Sequence, residues 1–137
     1  MKIAICASMV FSEEMLRIKR ELESLGHEAV VSDFLSDCLG KTEREKEEIT
    51  IFHKNESGAI REFWDKIKES DAVLIVNLDR RGIKNYIGGN TLMEIGFAHV
   101  LNKKIFLMNP IPEIPFYQSE IEAAKPIILH GDLSRIK

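Results

Sequence analysis

Ala72-Val73-Leu74-Ile75-Val76 is an unbroken apolar run, with Asp71 before it and Asn77 after it. A strand with one wet face alternates apolar and polar side chains, so a run without alternation marks a strand covered on both faces, as in a parallel sheet. Outward from it, Ile3 to Ala7, Ala29 to Val31, Ile105 to Met108 and Ile127 to Leu129 read the same way. Parallel strands cannot be joined by tight hairpins and need crossovers, usually helical. The intervening segments supply them. Met15, Leu16, Ile18, Leu22 and Leu25 recur at helical spacing, with Ser12 placed to cap that helix, Glu13 and Glu14 at its positive end, and Gly26 to stop it. Ile60, Phe63, Trp64 and Ile67 form a second stripe; a third helix is expected from about Thr91 to Leu101 and a short fourth over Ser119 to Ala124. Strands alternating with helices imply right-handed crossovers. The expected fold is therefore a single α/β domain over residues 1–137, a doubly wound, five-stranded, mainly parallel sheet, flavodoxin-like (Rossmann-like) in strand order.

Composition agrees and narrows the function classes. The chain has 137 residues, 45% hydrophobic and 30% charged, a balance that excludes a wholly disordered chain and fits one domain. A formal net charge of −3 offers no basic field for a polyphosphate backbone, so a small molecule is expected as partner and nucleic acid is not. Two cysteines, Cys6 and Cys38, provide neither a disulfide framework nor a four-ligand zinc site, and no His/Cys/carboxylate cluster calls for a metal. Met1-Lys2 runs directly into Ile3 to Ala7, too short for a signal segment, and no apolar stretch approaches the ~20 residues that span a bilayer. A cytoplasmic protein without a membrane partner is expected. Lys41 to Ser57, dense in charge, reads as a solvated helix or mobile excursion, with a substrate lid as the alternative. Pro110, Pro112 and Pro115 make Asn109 to Pro115 a non-helical connection.

In an open parallel sheet, ligands bind beyond the carboxyl ends of the strands, where strand order reverses. Ser8 and Met9, Asp33, Asn77 to Asp79, Asn109 and His130 stand just past those ends. The polar, glycine-containing loop from Leu78 to Asn90 leads into the third helix, where Glu94 and His99 are the only ionisable side chains between Leu92 and Leu101. A helix so apolar is expected to be buried. Burial would raise the pKa of Glu94, and the nearby helix start would lower it. Two readings of Glu94 stand side by side. Thr91-Leu92-Met93-Glu94 has the capping-box pattern, in which the glutamate only returns a hydrogen bond to the cap residue; alternatively, the carboxylate faces a ligand at the sheet edge. His99 lies about 140° around the helix from Glu94 and is read as structural or solvent-facing. Gly88-Gly89 permits a tight turn, or a close approach of bare backbone to an anion or other ligand. No GxGxxG follows the first strand and no Walker-type loop is present, so dinucleotide reduction and triphosphate hydrolysis lose their usual signatures.

Asp71 to Asn77, then Tyr86-Ile-Gly-Gly-Asn-Thr-Leu-Met-Glu94-Ile-Gly-Phe-Ala98, then Lys103 to Met108, together resemble the nucleoside 2-deoxyribosyltransferase family. Ile3 to Ser8 is similar to the related deoxynucleoside monophosphate N-glycosidases. The resemblance implies cleavage or transfer of a nucleoside or nucleotide N-glycosidic bond, with Glu94 as the nucleophile that carries the sugar as a covalent intermediate, and no cofactor or metal. Together with the strand-end rule and the glycine turn, the resemblance gives an expected substrate site of Ser8, Met9, Asn77, Tyr86, Gly88, Gly89, Asn90 and Thr91. Where the family carries an aspartate shortly before the nucleophile, this chain has Gly88-Gly89, which leaves Asp79 as the expected proton donor. The loop after Ser8 lacks the basic and glycine residues with which phosphate-preferring relatives grip a 5′-phosphate; Arg80 and Arg81 are the replacements available from the opposite loop. The family also implies a homo-oligomer, a dimer or higher. The alternative of a different class is a nucleoside- or nucleotide-binding sensor of the same fold without turnover.

Overall fold

The computed structural model describes residues 1–137. Its sheet contains β1 (Lys2–Cys6), β2 (Glu28–Val30), β3 (Ala72–Ile75), β4 (Lys104–Leu107) and β5 (Ile127–Ile128), in the order β2-β1-β3-β4-β5 with every pairing parallel. This is the flavodoxin order, which reverses between β1 and β3. All five apolar runs became strands, each ending one residue before its run does. Val76, Met108 and Leu129 still donate backbone hydrogen bonds to the neighbouring strand, at 2.9, 2.9 and 2.8 Å, but there the chain leaves the ladder.

Period-two alternation sends successive strand residues to opposite faces, and both faces are covered because both sets are apolar. Ile3, Ile5, Leu74 and Phe106 join one core with Met15, Ile18 and Leu22 of α1 (Ser12–Ser24) and with α2 (Leu35–Cys38). Ala4, Cys6, Val73, Ile75 and Leu107 join the other, with Phe63 and Ile67 of α4 (Ala59–Lys68), Ile95 and Ala98 of α5 (Gly89–Val100) and Ile121 of α6 (Gln118–Ala123). Each of the larger side chains, Val, Leu, Ile, Phe and Met, contributes about 1.5–3 kcal/mol by leaving water. No helix is long and apolar enough to cross a membrane.

Several local expectations need correction. Ser12 does not cap α1: a 3-10 turn over Met9–Phe11 precedes the helix, and the Ser12 hydroxyl, fully buried, donates to Glu13 instead. Gly26 does stop the helix, at a φ of +92° that other residues rarely adopt. Lys41 to Ser57 is neither excursion nor merely a solvated helix. It forms α3 (Glu43–Glu56), begun by a full capping box between Thr42 and Glu45, and Lys46 on its inner face is only 6% exposed. Finally, α5 is not buried all round. The sheet and α4 cover Thr91, Glu94, Ile95 and Ala98, while Met93, Gly96, His99 and Val100 face outward, because a helix in the outer layer of a three-layer fold has one side with nothing to pack on.

Candidate functional site

A cavity of about 360 Å³ opens at the carboxyl edge of β1 and β3, within the size range of small-molecule sites. Its floor is the end of β1, Ile5 to Ser8, followed by Met9 and Val10. One wall is the turn into α5, with Tyr86, Gly88, Gly89, Asn90, Thr91 and Glu94. The opposite wall is α3, which presents Lys46, Glu47, Thr50, Ile51 and Lys54, and α4 closes the side with Ile60 and Phe63. Arg80 and Arg81 complete the lining.

Glu94 decides what this space can do. The helix starts at Gly89 with Gly88 as its cap residue, three positions before the Thr91 cap that the capping-box pattern indicates, so Thr91 is already inside the first turn. No side-chain cap bond forms at this end, and the capping-box reading of Glu94 therefore fails. Glu94 lies in the second turn, only 6% exposed, and is one of the residues that line the cavity. Burial pushes its pKa up to about 8, against a smaller opposing effect of a hydrogen bond from Cys6. The Cys6 thiol lies between two acceptors, this carboxylate and the Ala4 carbonyl at 3.8 Å. Burial, reinforced by the charge of Glu94, raises the thiol itself well above its usual range, so Cys6 stays a proton donor.

Tyr86 and Gly88 are fitted to each other. A Cβ on Gly88 would stand 2.9 Å from the Tyr86 hydroxyl and 3.3 Å from the ring, whereas one on Gly89 would meet nothing within 4 Å. The first glycine is thus a space requirement and the second is not. The Tyr86 ring also carries the Arg80 guanidinium, 5.2 Å from its centroid.

Ser8, Met9, Tyr86, Gly88, Gly89, Asn90, Thr91 and Glu94 converge on the cavity. Asn77 and Asp79 do not line it. Asn77 is fully buried and latches β3 to the chain after β4: its Nδ2 donates to the carbonyls of Asn109 and Pro110 at 2.9 and 3.1 Å, and its Oδ1 accepts from the Asn109 amide at 3.0 Å. Asp79 accepts from the Asn85 amide at 2.9 Å and closes the 79–85 loop, whose Arg81, Gly82 and Asn85 all have positive φ.

The charged segment, expected as a solvated helix or mobile excursion with a lid as the alternative, supplies the α3 wall. Its helix is fastened by charge: Arg80 Nε donates to Glu43 at 2.9 Å and Arg80 also pairs with Glu47, Arg81 bonds Glu43 at 3.2 Å and Glu47 at 2.6 Å, and Lys46 pairs with Glu13. Arg80 Nη1 continues to the Ser8 hydroxyl at 3.3 Å, which ties α3 to the end of β1. A signal for this helix stood in the sequence as Thr42-Glu43-Arg44-Glu45, a capping box.

No protein-family model and no curated protein matches the chain. Among solved structures, it is similar to a 2-deoxyribosyltransferase from Bacillus psychrosaccharolyticus, with 21% identity, a TM-score of 0.55, and coverage of 90% of this chain and 82% of that one. A CMP N-glycosidase from Clostridium botulinum also aligns, at 16% identity and a TM-score of 0.47, over 93% of this chain and 85% of that one. The first likeness establishes a shared fold.

Proposed function

We propose that the protein cleaves or transfers the N-glycosidic bond of a nucleoside or nucleotide, with Glu94 as nucleophile. The observation that carries this reading is the Glu94 carboxylate, buried yet uncapped, and open to a cavity at the switch point of the sheet. A structural glutamate would be satisfied by its own helix end. This one is held in a costly environment without a cap partner, which is how reactive carboxylates are prepared. The sequence resemblance around Tyr86 to Ala98 and the fold shared with a 2-deoxyribosyltransferase support the same class.

In the proposed reaction, one Glu94 oxygen attacks the anomeric carbon as the C1′–N bond breaks, and the leaving base takes the bonding pair and a proton. Water or a second base then displaces the glutamate from the sugar, restoring the carboxylate. Two displacements replace one difficult step, and the negative oxygen also stabilises the oxocarbenium-like charge of each transition state. Ser8, Met9, Tyr86 and Gly88 to Thr91 are proposed to hold the substrate, Tyr86 through its ring face. Asn77 and Asp79 are proposed to shape the edge, since their hydrogen-bonding groups are spent on Asn109, Pro110 and Asn85. The base is then protonated by solvent or by a group it meets in the cavity, not by Asp79.

A panel of deoxynucleosides, ribonucleosides and their monophosphates, scored for released base by chromatography, tests the proposal. At least one member is expected to release base, and Glu94→Gln is expected to lower that rate by ~10³-fold or more. Tight binding without release from any member would favour the sensor reading. We also propose a homo-oligomer, supported by the outward Met93, Gly96 and Val100 of α5, at the i, i+3, i+7 spacing of a helix contact. Light scattering is expected to give at least a dimer mass, reduced by Val100→Glu.

A further inference from the structure

A phosphorylated substrate needs cations that are free to take its charge, and the cavity's cations are mostly taken. Lys46, Lys54, Arg80 and Arg81 are the cationic side chains on its lining. Lys46 is spent on Glu13 and the Val10 carbonyl. Arg80, only 11% exposed, has all its nitrogens engaged: Nε with Glu43, Nη2 with Glu47, Nη1 with Ser8. Arg81 bonds the same two carboxylates. Two guanidinium groups and two carboxylates sum to zero charge, and the Arg80 guanidinium holds the Glu43 carboxyl below its usual range, so the pairing persists at neutral pH. Lys54 alone has no carboxylate partner. Glu47 itself lines the cavity, so a phosphate brought to the arginines would sit beside like charge.

Resting on the glycosidic reading above, we infer that Glu43 and Glu47 of α3 are specificity-determining residues: by occupying Arg80 and Arg81 they set the cavity for a nucleoside with a free 5′-hydroxyl over its 5′-monophosphate. A phosphate carries roughly −1.5 to −2 charge near neutral pH and competes best where arginine forks are unpaired. A hydroxyl has no such requirement. It can accept from Lys54 or donate to Glu47 without breaking any pair, whereas the monophosphate must displace two carboxylates that a helix holds in place. Removing those carboxylates leaves Arg80 and Arg81 as an anion site beside Ser8.

The test compares the intact protein, Glu47→Gln, Glu43→Gln and the double variant, each checked for folding by circular dichroism. Binding of a deoxynucleoside and of its 5′-monophosphate is measured by calorimetry, and stabilisation by inorganic phosphate from thermal melts. The intact protein is expected to bind the nucleoside at least tenfold more tightly and to gain no melting temperature from phosphate. In Glu47→Gln the ratio of monophosphate to nucleoside affinity is expected to rise at least tenfold, with phosphate now stabilising the fold; Glu43→Gln gives the same direction if Glu47→Gln does not fold. An intact protein that prefers the monophosphate, or variants whose ratio and phosphate response are unchanged, overturns the inference. The phosphate melts need no glycosidic chemistry, so they still decide it if no base is released and the catalytic reading fails.

Discussion

The two helices that face each other across the cavity are held by opposite physics. α5 is set by burial: Ile95 and Ala98 pack on the sheet, and the one acid on its inner face, Glu94, is kept largely dry with its pKa raised to about 8. α3 is set by charge: Arg80, Arg81 and Lys46 meet Glu43, Glu47 and Glu13, and the pKa of Glu13 falls to about 2, chiefly through Lys46. One wall is held by apolar burial, the other is docked by bonds that water and salt can weaken. The difference separates the wall that carries the proposed nucleophile from the wall whose attachment responds to salt.

The largest expected effect pits the two walls against each other in pH. The folded protein holds a proton on Glu94 that the unfolded chain releases above about 4.5, so burial costs stability as pH rises to about 8, on the order of 5 kcal/mol in total. Denaturant unfolding at a series of pH values is expected to show this decline, and Glu94→Gln to abolish it. The rate of base release should rise with pH over the same range, because only the carboxylate is nucleophilic. The α3 wall has the reverse sign. The lowered pKa of Glu13 means its contribution is complete above about 4.5 and disappears as pH falls toward 2. Equal pH slopes in the intact protein and Glu94→Gln between 4.5 and 8 would erase the contrast.

A smaller effect isolates the charged wall. Arg80→Ala is expected to speed amide exchange across α3 by roughly tenfold while β1 and β3 keep their protection, and high salt to act in the same direction on the intact protein. Loss of protection across the sheet as well would mean that α3 and the core unfold together. Smallest is the contrast of two neighbouring glycines. Gly88→Ala must push the Tyr86 ring aside and is expected to cost about 1 kcal/mol and to weaken nucleoside binding, whereas Gly89→Ala fills open space in the first turn and is expected to stabilise by ~0.5 kcal/mol. Thermal melts and ligand titration read both; equal effects would show that the Tyr86 contact constrains nothing.

How far each wall could be read from the sequence follows from the same contrast. Burial leaves periodic apolar residues, so all five strands, α1, α4, α5 and the strand order were legible, and the rule for open parallel sheets put Ser8, Met9 and the loop into α5 at the site. Charge pairing between distant segments leaves no periodic trace: nothing in Glu43, Lys46 or Glu47 says that Arg80 and Glu13 are their partners, and the helix therefore read as solvated. Thr91 to Glu94 matched a cap because spacing cannot reveal that Gly88 begins the helix earlier. Asn77 and Asp79 stand at the ligand edge in sequence, but only the fold shows that Asn109 and Asn85 consume their hydrogen bonds.

In the proposed reaction a sugar becomes bonded to one acidic side chain. The direct measurement is mass spectrometry of the protein quenched during turnover of a substrate found in the panel, followed by digestion and peptide sequencing. A pentosyl mass added to the peptide that contains Glu94, absent in Glu94→Gln, is the expected result. Base release that continues in Glu94→Gln, or a sugar adduct on any other residue, would contradict it.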